Sequence, residues 1–302
     1  MIRAAHLLLA VLLGLAAPLP ARAAPAFRLE GFPPGAEAGL RAEAAAAYAR
    51  ARQWFGVELR GPVTIRWVRD AAEIRRLGVS SPGAVAGLAL PESRLVALYA
   101  PALAARPGRV RPVLLHEICH LFFAEATARA ELLPPRWLNE GIAMWISGDW
   151  DLGMDWRSGQ DALLRDAMAA GGVLPFAELD VTFPDGPFFH VAYAQSLSFV
   201  EWMVRQGGET SLQRLLRLLD EDLDPEPAFA QVYGTSLPEA EEAWRDEIGG
   251  PGLLRRIPSA GTLITFLWIA LALLVVARFV RTRIQLRRAP DDDDPAGTGG
   301  SG

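Results

Sequence analysis

The sequence has 302 residues, is 51% hydrophobic and carries a formal net charge of −5. Nucleic-acid binding is set aside, because neutralising phosphates takes clustered Lys and Arg and no long basic stretch is present. The lone Cys119 excludes an intramolecular disulfide, and the length suits one sizeable folded domain with appendages.

Residues 1–23 read as a signal peptide. Arg3 is followed by an apolar run from Leu7 to Leu19 and by Ala21-Arg22-Ala23, a small-x-small cleavage site. An uncleaved anchor is the alternative, but Gly14, Pro18 and Pro20 interrupt a run already short for a span of about 20 residues. The segment 24–250 is then expected to be the folded domain.

Within it, the Ala-rich stretch from Ala36 to Phe55 predicts a helix that stops at Gly56. VTIRWV, 63–68, alternates and is β-branched, which predicts a strand, and a short helix follows over 71–77. GLALPESRLVALYAP, 87–101, predicts two short strands around Pro91-Glu92-Ser93, as a hairpin or an edge strand with its turn. Helices are predicted over 110–126, from Pro134-Pro135 onward, and over 158–170, 191–206, 210–219 and 237–248. Strands early and helices late indicate an α+β fold.

The helix over 110–126 carries HEICH, 116–120, a match to HExxH. Two histidines four apart lie about 40° from each other round a helix, so both imidazoles can reach one ion. Glu117, about 100° from His116, flanks that ion and can take a proton from water without being a ligand. The next helix supplies Glu140 in PPRWLNEGIA, 134–143. Two His and one Glu leave a fourth position open, as catalytic zinc requires, and Gly141 permits a close helix approach. Glu140 also suits the first turn of a helix for the simpler reason that the dipole favours a carboxylate there.

HExxH followed by WLNEG resembles the gluzincin metallopeptidases, and the WLNEG string is similar to the metal-binding segment of the aminopeptidase N family. In size the chain looks more like the compact peptidase MA-like domains, with a resemblance covering residues 40–248. The resemblance implies a zincin, thermolysin-like α+β domain with a small N-terminal mixed sheet and a mainly helical C-terminal half. It implies His116, His120 and Glu140 as ligands of a Zn²⁺ cofactor, Glu117 as general base, and a peptide or protein as substrate.

FFHVAYAQSLSFVEWMVRQGG, 188–208, is similar to the segment in which such enzymes carry an oxyanion-steadying tyrosine, which falls on Tyr193. A tyrosine packed on a helix face with its hydroxyl in water stays an open alternative. His190, three residues earlier, reads as a loop histidine without a catalytic role. Cys119, Trp137 and Trp145 read as core packing, and 149–155 as a solvated loop. Two departures limit the likeness. The Gly-x-Met-Glu-Asn segment that grips a free amine in aminopeptidases is absent, so an endopeptidase is expected. Met144 and Ser147 stand where a carboxylate often follows the ligand Glu, so the histidines must find support elsewhere.

Past the domain, 257–277 is uncharged and long enough to cross a bilayer. Arg278, Arg281, Arg283, Arg287 and Arg288 follow it, against Arg255 and Arg256 before it, which puts the C-terminus in the cytoplasm. The tail, 278–302, is basic and then acidic and predicts disorder. The sequence thus describes a single-pass protein of a bacterial cell membrane with an extracytoplasmic zinc-dependent peptidase domain. The competing reading is a membrane-tethered binding or regulatory module that keeps zinc without turnover.

Overall fold

A computed structural model of the protein describes residues 26–79, 85–104, 106–148, 160–181 and 189–249, together with positions 268 and 278. The N-terminal half holds a four-stranded mixed sheet and the C-terminal half is helical. The expected α+β division is observed.

Strands β1 (Phe27–Glu30), β2 (Val63–Val68), β3 (Gly87–Leu90) and β4 (Leu95–Tyr99) lie in the order β1-β2-β4-β3. β1 and β4 both run parallel to β2, with Phe27 opposite Val63 and Thr64 opposite Leu95. Every residue of β4 is buried, as suits the near-continuous apolar run of an internal parallel strand. β3 folds back antiparallel on β4, Gly87 opposite Leu98, through a single 3-10 turn at Pro91–Ser93 and a left-handed Arg94. The predicted hairpin is therefore present, and β3 forms one edge of the sheet.

Helix α1 (Glu37–Phe55) buries Leu40, Ala44, Ala47, Tyr48, Ala51 and Trp54, a stripe at helical spacing whose alanines let a neighbour come close. The short α2 (Ala71–Arg76) is capped by Asp70, whose side chain accepts from Glu73 N–H. After α3 (Ala100–Ala104) comes α4 (Val110–Ala126), which buries residues on every side, including Val113, Ile118, Leu121 and Phe122. Such a helix belongs in the middle of a domain, and α4 packs against α1, β3, β4 and α5 (Arg136–Ser147).

α6 (Gln160–Ala169) and α7 (Phe176–Val181) lead to α8 (Phe189–Asp220), then α9 (Pro225–Tyr233) and α10 (Leu237–Gly249). The two helices expected over 191–206 and 210–219 are both present within α8, separated at Gly208, whose φ of 74° and ψ of 172° interrupt the helical path. α5, α7, α8 and α10 meet in an aromatic cluster, with Phe176 stacked on Phe199 at 4.2 Å and Trp137 4.7 Å from Phe176. Trp137 is core packing, as read from the sequence, and Trp145 meets Trp54 at 5.9 Å.

No helix among the described residues is long and apolar enough to cross a membrane. Apart from the single positions 268 and 278, the apolar segment 257–277, the signal segment 1–23, the tail and the loop 149–155 lie outside the described residues.

Candidate metal centre

α4 and α5 are successive helices packed side by side, and their contact carries the chemistry. His116 and His120 lie one turn apart on α4, with ring centroids at 4.7 Å and Nε2 atoms at 3.1 Å. Glu140 enters from α5, its Oε2 at 3.6 Å from His116 Nε2 and 3.5 Å from His120 Nε2. Among the described residues these three form the one group of His, Cys, Asp and Glu side chains placed to share an ion.

The spacing can be tested against a metal. Donors at about 2.0–2.1 Å from a tetrahedral zinc stand roughly 3.3–3.4 Å from one another. The three observed separations, 3.1, 3.5 and 3.6 Å, outline one face of such a tetrahedron. Asn139 supports the same conclusion: its Oδ1 lies 2.8 Å from His120 Nδ1. An amide oxygen only accepts, so Nδ1 carries the proton and Nε2 turns its lone pair toward the other two donors. Asn139 thus supplies, for His120, the support that the sequence required from outside positions 144 and 147.

The electrostatics agree with a site built for a cation. Burial pushes the Glu140 carboxyl upward, but His120, His116 and Arg136 outweigh it and hold the group down at about 2. Burial is the largest influence on His120 and lowers its pKa, keeping the imidazole neutral as a ligand must be. Glu117 is buried with them, and ionisable groups gathered out of water are costly unless something pairs with them.

Two glycines fix how closely other elements approach. A Cβ on Gly141, next to Glu140, would stand 2.5 Å from Ser196 carbonyl oxygen on α8, so α5 and α8 cross there backbone to backbone. Tyr193 lies one turn before Ser196 on the same stripe of α8 and comes into the fields of Glu140 and Glu117. Burial, then the charge of Glu140, raises the Tyr193 hydroxyl well above the ordinary phenol value, and Arg136 works against that rise. On the opposite side, a Cβ on Gly87 would meet Glu117 Oε1 at 2.6 Å, so the sheet edge rests directly on that carboxylate.

The structure thus brings together His116, His120, Glu140, Glu117 and Tyr193. His190, expected in a loop, is the second residue of α8, with its ring 5.7 Å from Phe189, and it has no share in the metal group. Cys119 is buried, and burial drives its thiol far up, so it behaves as a small apolar residue. Sequence reasoning missed Asn139 and Arg136, although both stand inside the WLNEG-bearing segment and within one turn of Glu140.

Two histidines a turn apart on one helix, with a glutamate from the next, define the gluzincin class of zinc centre. Residues 43–250 match the Peptidase MA superfamily, and the chain belongs to it. None of the curated proteins matches the sequence. Among solved structures, the chain is similar to an M1 zinc metallopeptidase mutant from Deinococcus radiodurans, with 20% identity and a TM-score of 0.38 over 79% of this chain and 48% of the other. A two-domain M1 zinc metallopeptidase mutant bound to L-arginine gives 20% identity and a TM-score of 0.38 over 81% and 49%. The chain spans about half the length of these two structures.

Proposed function

We propose that this protein is a zinc-dependent peptidase that hydrolyses peptide bonds outside the cytoplasm while anchored by the segment 257–277, with His116, His120 and Glu140 as the zinc ligands. The observation that carries the reading is the tetrahedral spacing of the three donors beside a buried carboxylate that is not one of them. When bound, zinc supplies Lewis acidity, which acidifies water and polarises a carbonyl.

The chain's own groups complete the chemistry. Glu117 accepts a proton from the attacking water and delivers it to the departing amine. Tyr193, a half-buried phenol that keeps its proton at neutral pH, donates a hydrogen bond to the oxygen where charge develops. The β3 edge, in contact with Glu117 through Gly87, offers main-chain partners to an extended peptide, which favours cleavage within a chain over removal of a terminal residue.

The test is a zinc assay and a peptide-library digest on the full chain, alongside Glu117→Gln, His116→Ala and Glu140→Ala. Glu117→Gln is expected to keep one zinc per chain while hydrolysis falls by roughly 10²- to 10⁴-fold. The two ligand variants are expected to lose the metal. Stoichiometric zinc without any cleaved peptide in the wild type would leave a metal-binding module in place of an enzyme. Deleting 257–302 is expected to move the protein from the membrane fraction to the soluble one; if it stays with the membrane, the anchor lies elsewhere.

A further inference from the structure

We propose that Arg136 is the positioning residue of this centre: it holds Glu140 to a one-oxygen grip on the metal and keeps Tyr193 in register with that grip. The proposal rests on the zinc-hydrolase reading above and adds a residue to it.

The Glu140 carboxylate faces two ways. Oε2 is the atom near both imidazoles, whereas Oε1 lies 3.6 Å from Arg136 Nε. Arg136 and Glu140 stand one turn apart on α5, so the guanidinium lies over the far oxygen while the near one is left for the ion. A carboxylate held that way occupies one coordination place, which leaves room for water and for a substrate carbonyl. The same side chain also acts on the Tyr193 hydroxyl of α8, opposing its upward shift, so one cation bears on Glu140 of one helix and on the phenol of another. A guanidinium can serve two acceptors in fixed directions, which a single ammonium cannot do.

Arg136 is also misplaced as a helix stabiliser. It is the first residue of α5, where the macrodipole is positive and disfavours a cation, and no acidic residue in the first turn offsets it. Its backbone N–H is satisfied separately, by Asp180 Oδ1 at 2.8 Å, which fixes the root of the side chain. With the Arg136 side chain 53% exposed and that of Glu140 11% exposed, the guanidinium stands at the mouth of the site. A residue that breaks a local rule at the edge of a site is where a functional demand is expected.

The experiment measures zinc affinity by competition with a chromophoric chelator, and kcat and KM at saturating zinc. It uses the full-length wild type, Arg136→Ala, Arg136→Lys, Tyr193→Phe and the double variant Arg136→Ala with Tyr193→Phe. Arg136→Ala is expected to weaken zinc binding by about 10- to 100-fold and to lower kcat with KM within about twofold. Arg136→Lys is expected to bind zinc near the wild-type level yet keep the low kcat of the alanine variant. Tyr193→Phe leaves zinc affinity unchanged, and the double variant loses no more kcat than Arg136→Ala alone, because the phenol is already misaimed. Wild-type zinc affinity in Arg136→Ala, full kcat in Arg136→Lys, or multiplying kcat losses in the double variant would each overturn the proposal. Should the wild type cut no peptide, the hydrolase reading falls on that result alone. The zinc competition then decides by itself whether Arg136 holds Glu140.

Discussion

Asn139 sits one position before the ligand Glu140, and its amide oxygen meets His120 Nδ1 at 2.8 Å, so two neighbouring residues serve one centre in different ways. Asn139→Ala removes an acceptor and leaves the His120 tautomer unfixed. Zinc affinity is expected to fall by about 10- to 100-fold, read by chelator competition, with the helical circular dichroism unchanged. The pairing of His116 with His120 was legible in the sequence because helical periodicity alone puts 116 and 120 on one face and 117 on its flank, whereas Glu140 was reached through the likeness of WLNEG to a metal-binding segment. Asn139 and Arg136 were not, since their roles depend on which way a side chain turns once α4 and α5 have packed.

α5 and α8 cross at Gly141, and β3 touches α4 at Gly87, so the walls of the site are set by two residues with no side chain. Gly141→Ala would place a carbon 2.5 Å from the Ser196 carbonyl oxygen, an overpacking that ordinarily costs about 1–3 kcal/mol. A lower thermal midpoint in the zinc-free protein is the expected readout. Gly87→Ala acts differently, because the carbon displaces the Glu117 carboxylate at 2.6 Å and not a ligand. Peptide hydrolysis is expected to fall by up to about 100-fold with zinc stoichiometry intact. Most elements were legible from their periodicity, among them α1, β2, α4 and the β3–β4 pair. β1 was not, because FRLE is four residues long with charges at two of them, and only its parallel register against β2 makes it a strand. α9 was missed as well: a nine-residue helix opening on Pro-Glu-Pro looks like a loop until Phe229 packs 6.2 Å from Phe199.

For the molecule as a whole, α1, α5, β3 and β4 all pack on α4, whose buried residues lie on every side, so metal occupancy and global stability are expected to be coupled. Adding zinc to the stripped protein is expected to raise the thermal midpoint, the stabilisation growing with the logarithm of concentration to about 4 kcal/mol at a thousand times the dissociation constant. His116→Ala should abolish that rise; a midpoint indifferent to zinc in the wild type would contradict the coupling.

All three donors lie within the segment 116–140, whereas Tyr193 reaches the site from α8, far away along the chain. Contacts between near neighbours in sequence cost less loop entropy to close than distant ones. The metal-holding group is therefore the locally closed part of the site, and the phenol of Tyr193 is the part that waits on the long-range packing of α8 against α5.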